Sequence, residues 1–263
     1  VMNSKPKIGL ALSGGVGYCM AHIGVLQVLE ENGIRPDMIA GTSGGALIGA
    51  MYASGIRPDR IEQIAKEISW RKLMGLHLLF KGMMSSRPIE QMVDELLGKG
   101  RRFADLSIPL LVTAVDLVRE EKVLYPEQDG QTISRPVRAS CSLPLVFAPV
   151  KDGERMLVDG GMLVPLPVLE LKERGMDRVI AVSLRPSRSA PKNVFEVALR
   201  TLSVANNERK EAARQAADVL IECHLGQTSR WDLQAALDLV KVGRMAAEEK
   251  LGALKSLAGE AGN

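Results

Sequence analysis

Three short glycine-flanked stretches of the chain carry side chains suited to acyl chemistry. The first is Gly41-Thr42-Ser43-Gly44-Gly45, which fits G-x-S-x-G. It follows the strand-like stretch DMIA, residues 37–40, and precedes the small-residue run ALIGAMYA. A serine between a strand and a helix can sit on a strained turn that thrusts its hydroxyl outward, and glycines two places away avoid collision there. The helix N-terminus that comes next adds partial positive charge. A serine that merely caps a tightly packed helix would leave the same pattern. The second stretch is Ser13-Gly14-Gly15-Val16-Gly17. Its backbone N–H groups suit an anion, either a phosphate or the oxyanion beside a nucleophile. The spacing is not a clean G-x-G-x-x-G and no G-K-[ST] occurs, so nucleotide binding is weakly supported; a plain strand-to-helix turn fits as well. The third is Asp159-Gly160-Gly161, a carboxylate at a strand end in a sharp turn. An Asp-Gly hairpin turn reads the same way. A serine nucleophile needs a base. The histidines are His22, His77 and His224, and none has the tight-loop setting of one. His22 falls on the edge of an apolar helix face and reads as structural.

These residues need a scaffold. Residues 7–12 (KIGLAL) read as a buried strand, and 18–33 as a helix whose apolar face is Met20, Ile23, Leu26 and Leu29 with Val25 and Val28 beside it, stopped by Gly33. Residues 37–41 read as a second strand and 44–54 as a second helix. Strand, helix, strand, helix points to a parallel α/β sheet. Further helices are expected from Pro58 and over residues 89–100, and further strands in PLLVTAVDL, EKVLYPE, RMLVDGG, RVIAVSLRP and DVLIECHL. Residues 185–192 read as a linker-like loop. Two long helical patterns come after it, so the expectation is one domain over 1–263 with a helical C-terminal part from about 191. Residues 70–88 are irregular and rich in Met and Leu, a candidate lid or acyl-chain wall.

Composition excludes several classes. The chain is 46% hydrophobic and 25% charged, which is ordinary for a globular protein. A net charge of +3 without basic-aromatic alternation gives no reason to expect nucleic acid. The densest basic cluster, GKGRR at 98–102, reads as a solvated loop. Cys19, Cys141 and Cys223 are far apart in sequence with no CxxC, so neither a disulfide framework nor a metal site is expected. No cleavable apolar leader and no apolar run of about 18 residues is seen, and a cytoplasmic protein is expected.

Taken together, LALSGGVGYCMAHIGVLQVLEENGI, GTSGG and VDGG resemble the patatin-like phospholipases, bacterial lipid acyl hydrolases related to patatin and cytosolic phospholipase A2. The resemblance extends over nearly the whole chain, including RASCSLPLVFAPV between the two motifs and ADVLIE near the end. It implies a three-layer α/β/α fold with a mainly parallel central sheet. It also implies ester hydrolysis on a lipid acyl substrate without a cofactor, with transient contact at a membrane surface. It assigns Ser43 as nucleophile and Asp159 as base of a dyad without histidine. Gly14, Gly15 and Val16 become the oxyanion hole, and Gly41, Gly45 and Gly160 the glycines of the elbow and turn. Two departures stand out. The family's loop commonly reads G-G-G-x-[RK]-G, whereas Tyr18 and Cys19 occupy its last two places here. Val164 and Pro165 also stand where asparagine is frequent. The first departure argues for weaker oxyanion stabilisation and a slower enzyme. A non-catalytic binding protein and an acyltransferase are the rival readings.

Overall fold

The structure is a computed structural model that describes residues 5–67, 84–187, 190–228 and 233–259. Five strands lie side by side in parallel in the order β3-β2-β1-β7-β8. They are β1 (Ile8–Leu12), β2 (Met38–Thr42), β3 (Leu110–Asp116), β7 (Arg178–Arg185) and β8 (Val219–His224). Three antiparallel strands, β4 (Glu121–Tyr125), β5 (Val150–Asp152) and β6 (Arg155–Asp159), extend the sheet around β3. The helices in chain order are α1 (Met20–Glu31), α2 (Gly44–Ala53), α3 (Pro58–Glu67), α4 (Arg87–Leu97), α5 (Ser134–Ser140), α6 (Val168–Glu173), α7 (Val194–Ala205), α8 (Asn207–Ala216), α9 (Leu233–Ala236), α10 (Leu239–Glu249) and α11 (Leu251–Leu257).

Side chains alternate across a strand, and both faces of this sheet are covered. Leu10, Leu12, Ile39, Ile180 and Val182 point into a large core with α1, α2 and α10. Ala11, Ala40, Val179 and Ala181 point the other way, into a smaller core with Val168 and Leu171 of α6 and Ala213 of α8. The three-layer expectation therefore holds, and β1, β2, β3 and β7 read as apolar runs because both of their faces are largely buried.

The register around β3 brings distant parts of the chain together. Val112 and Thr113 pair with both β2 and β4, while Ala114, Val115 and Asp116 pair with both β4 and β6. A strand has only two edges, so β2 and β6 share one edge of β3, end to end. Thr42 sits opposite Thr113, and Asp159 opposite Ala114, the next residue along. The carboxyl ends of β2 and β6 thus meet head on.

Several expectations are revised. Helix α1 is buried well beyond its predicted face, with Ala21, His22 and Gly24 inaccessible too. It is roofed by α10 as well as packed on the sheet. The crossing is so tight that a Cβ on Gly24 would lie 1.9 Å from the Val240 carbonyl oxygen, and one on Gly243 would lie 1.8 Å from that of Ala21. The helical pattern after residue 193 divides at buried Asn206, whose side-chain amide donates to the Leu202 carbonyl at 3.2 Å and closes α7. The last helical pattern divides into α9, α10 and α11. The short elements β5 and α6 carry too few residues to show a period and were not expected. Of the Met/Leu-rich stretch, residues 70–83 lie outside the described residues. The chain resumes at Met84, which bridges to Phe147. No described helix is long and apolar enough to cross a membrane.

Candidate active site

Ser43 stands one residue past the end of β2 and one before α2. Its backbone has φ 53° and ψ −124°, in a region that L-residues rarely adopt. Two glycines permit this turn. A Cβ on Gly41 would lie 2.5 Å from the Ala46 Cα, and one on Gly45 would lie 2.4 Å from the Leu12 carbonyl oxygen. Both obstacles are backbone and cannot step aside. Although Ser43 occupies the N-cap position, its side chain makes no capping hydrogen bond. It stands instead beside the Asp159 carboxyl, whose pKa it pulls down. This removes the simple capping explanation for the serine.

Asp159 ends β6 and starts a 3-10 turn over Gly160–Met162, not a hairpin. Its Oδ1 accepts the Gly161 N–H at 2.8 Å. Gly160 must lack a side chain, because a Cβ there would lie 2.1 Å from the Thr113 Oγ1. Ser43 and Asp159 are only 6% and 3% exposed. Burial raises the Asp159 carboxyl to about 6, against the opposing pull of its hydrogen bonds from Ser43 and Gly161. The group is therefore ionised at neutral pH and holds a proton in mildly acidic solution, the poise that suits a general base.

The glycine loop lies against this pair. A Cβ on Gly14 would stand 3.3 Å from the Ser43 Cβ, and one on Gly44 would stand 3.1 Å from the Val16 carbonyl oxygen. The Gly14 N–H donates to the Pro165 carbonyl at 3.3 Å. Gly15 and Val16 open a 3-10 turn, Val16–Cys19, where amides have no intrahelical carbonyl to reach. The two departures from the family pattern are absorbed here. Val164 and Pro165 serve through backbone carbonyls, Val164 accepting from Thr42 Oγ1 at 2.8 Å. Tyr18 is buried and its hydroxyl donates to the Thr228 carbonyl at 2.9 Å, so this position braces the C-terminal part.

The structural role expected of His22 holds. The residue is fully buried, and its Nε2–H donates to the Ser13 carbonyl at 2.8 Å. Burial lowers its pKa to about 4, so the ring is neutral and anchors the glycine loop. His224 is exposed at the end of β8, and His77 lies outside the described residues. Cys19 and Cys141, distant in sequence, both flank the site: a Cβ on Gly44 would lie 2.7 Å from the Cys19 Cβ, and the Cys141 thiol feels the charge of Asp159. Burial holds both thiols protonated, which disfavours either as nucleophile. Among the described residues no cluster of side chains is suited to a metal ion.

Two residues that sequence reasoning did not single out touch the pair. The Ser43 N–H donates to Ser140 Oγ at 2.8 Å, and the Asp159 N–H donates to the Ser142 carbonyl at 3.0 Å. Their only signal was membership of the RASCSLP stretch.

Residues 10–172 match the family model described as Patatin-like phospholipase, which is more than half of the chain. The chain belongs to that family. A patatin-like relative, an uncharacterized NTE family protein of Mycobacterium tuberculosis, is 35% identical over 192 residues, covering 72% of this chain and 52% of the relative. Lysophospholipase NTE1 of Candida glabrata is 33% identical over 187 residues, covering 69% of this chain and 11% of that protein. The chain thus spans about half the length of the mycobacterial relative and a small part of the yeast one. Among solved structures, VipD from Legionella pneumophila matches with a TM-score of 0.67 at 16% identity, covering 96% of this chain and 67% of that one. At that identity the likeness speaks for the patatin-like fold.

Proposed function

We propose that this chain hydrolyses acyl esters of lipids through a Ser43–Asp159 dyad and a covalent acyl-enzyme. The observation that carries the reading is the Ser43 hydroxyl, held on a strained turn without capping its helix, where the ends of β2 and β6 bring it beside the buried Asp159 carboxyl. As Ser43 Oγ attacks the ester carbonyl carbon, Asp159 takes the hydroxyl proton. The carbonyl π electrons move onto oxygen, where the amides of Gly15, Val16 and Gly44 and the α2 N-terminus are the nearest source of positive charge. Gly14 contributes by bringing the loop against Ser43, since its own N–H is engaged by Pro165. Collapse of the tetrahedral intermediate breaks the C–O bond to the alcohol, which takes the proton from Asp159. Water then attacks the acyl-enzyme, giving its proton to the same carboxylate, and the second collapse returns that proton to Ser43 Oγ with release of the acid. No imidazole takes part. Kinship with proteins named lysophospholipases and phospholipases supports a glycerolipid ester as the substrate class. Contact with a membrane surface would be transient.

The test is labelling by an alkyl fluorophosphonate, with peptide mapping of the product. Label on Ser43, lost in a folded Ser43→Ala variant along with ester hydrolysis, is the expected result. An unlabelled, well-folded wild-type protein would favour the non-catalytic reading.

A further inference from the structure

The RASCS stretch, 138–142, has no role in the acyl chemistry itself, yet it touches both members of the dyad. On the nucleophile side, Ser43 lies past the last rung of β2, and its N–H precedes the first turn of α2, so neither sheet nor helix offers it a carbonyl. The acceptor is the hydroxyl of Ser140, the last residue of α5, at 2.8 Å and 0% exposed. On the base side, the Asp159 N–H is held by the Ser142 carbonyl at 3.0 Å. The turn is itself braced. Ser142 Oγ donates to the Arg138 carbonyl at 2.8 Å and lies 2.9 Å from Ser86 Oγ. Ser86 Oγ accepts from Arg138 Nε at 3.1 Å, and Arg138 pairs with Glu90 of α4 at 2.7 Å. Ser86, Ser140 and Ser142 are each 0% exposed, so these bonds face no competition from water.

We propose that the Ser140–Ser142 turn is a clamp that fixes nucleophile and base relative to each other, with Ser140 as the positioning residue for Ser43. The proposal rests on the dyad reading. A residue at positive φ stays there only while its surroundings over-determine it. The Ser140 hydroxyl supplies that constraint at the backbone atom nearest the nucleophile. Without it the Ser43 N–H is buried unpaired, the turn relaxes, and Oγ leaves the line between Asp159 and the ester. A displacement of about 1 Å is enough to cost roughly a hundredfold in rate.

The experiment compares wild type, Ser140→Ala and Ser140→Cys on a short-chain p-nitrophenyl ester. Ser140→Cys keeps the shape of the side chain but offers a much weaker acceptor. Three quantities are read: kcat and KM, the second-order rate of fluorophosphonate labelling at Ser43, and the acid limb of the pH–rate profile. Thermal melts check the fold. The clamp predicts that Ser140→Ala loses about ten- to a hundredfold in kcat and in labelling rate, with KM nearly unchanged. It predicts an intermediate loss for Ser140→Cys. The acid limb should stay put in both, because Asp159 is held separately by the Ser142 carbonyl. If Ser140→Ala does not fold, Ser140→Cys decides alone: a reduced kcat supports the clamp, and a wild-type kcat overturns it. Folded variants that both work at the wild-type rate overturn the clamp while leaving the dyad intact. A wild-type protein inert to both reagents would instead sink the dyad reading, and the clamp with it.

Discussion

At the residue scale, the pairing of Ser43 with Asp159 turns on one carboxylate in a dry setting. Its pKa of about 6 gives a direct expectation for activity. In the proposed dyad the ionised form is the base, so kcat/KM should rise as pH increases through about 6 and level off near neutrality. The same shift has a consequence for stability. The folded-state pKa lies above the ordinary carboxyl value, so the stabilising contribution is complete in acid and is lost as pH rises through about 6. Asp159→Asn removes that penalty. Thermal melts should show the variant gaining on wild type between about pH 4 and about pH 6.5, by on the order of 2 kcal/mol. His22 has the opposite sign. Its folded pKa of about 4 lies below the ordinary value, so stability falls as pH drops from about 6.5 towards 4. His22→Gln should flatten this acid loss while keeping turnover. The strained turn at Ser43, the tight turn at Asp159 and the structural role of His22 were legible in the sequence, because flanking glycines and an apolar helix face leave local patterns. Ser140 was not, since a serine that accepts one backbone N–H leaves no local mark. The basic residue missing at position 18 had suggested a gap in charge beside the oxyanion. The structure places the Tyr18 side chain on the Thr228 carbonyl instead.

At the scale of elements, the meeting of the two residues follows from register. β2 and β6 end at adjacent positions on one edge of β3, so any shift of either strand separates Ser43 from Asp159. Sequence periodicity found β2, β3 and β6 as strands but carries no information about which edges pair, so the head-on junction was invisible to it. The elbow glycine tests this packing. In Gly41→Ala the new methyl meets the Ala46 backbone at 2.5 Å. The variant should lose stability by roughly 1–3 kcal/mol and lose most esterase activity, as thermal melts and initial rates would show. Gly243→Ala forces α10 away from α1, with a Cβ 1.8 Å from the Ala21 carbonyl oxygen. It should destabilise by a similar or larger amount. Activity per folded molecule should change less than in Gly41→Ala, because the crossing does not touch the elbow.

At the scale of the whole molecule, the part after residue 191 completes the sheet instead of hanging from it. β8 pairs with β7 along six residues, and α10 roofs α1, which carries the glycine loop at its start. The hydroxyl of Tyr18 reaches Thr228 across the same junction. The sequence showed this part as mainly helical because α7, α8 and α10 dominate its length. The contact between α10 and α1 spans more than 200 residues of chain and has no local signature. A chain ended at residue 186 would keep Ser43, Asp159 and the whole family match, yet expose the edge of β7 and the roofed face of α1. It should give no cooperative melt and no esterase activity. A soluble, active truncation would show that the later helices and β8 are dispensable.

The central claim is that Asp159, and no histidine, takes the Ser43 proton. The most direct measurement is the initial rate of hydrolysis of one short-chain ester by wild type, Asp159→Asn, His22→Gln, His77→Ala and His224→Ala, each checked for folding by thermal melt. The dyad assignment predicts a loss of about 100- to 10,000-fold in Asp159→Asn and retained turnover in all three folded histidine variants. A folded histidine variant that is dead, beside an Asp159→Asn protein that still works, would contradict it.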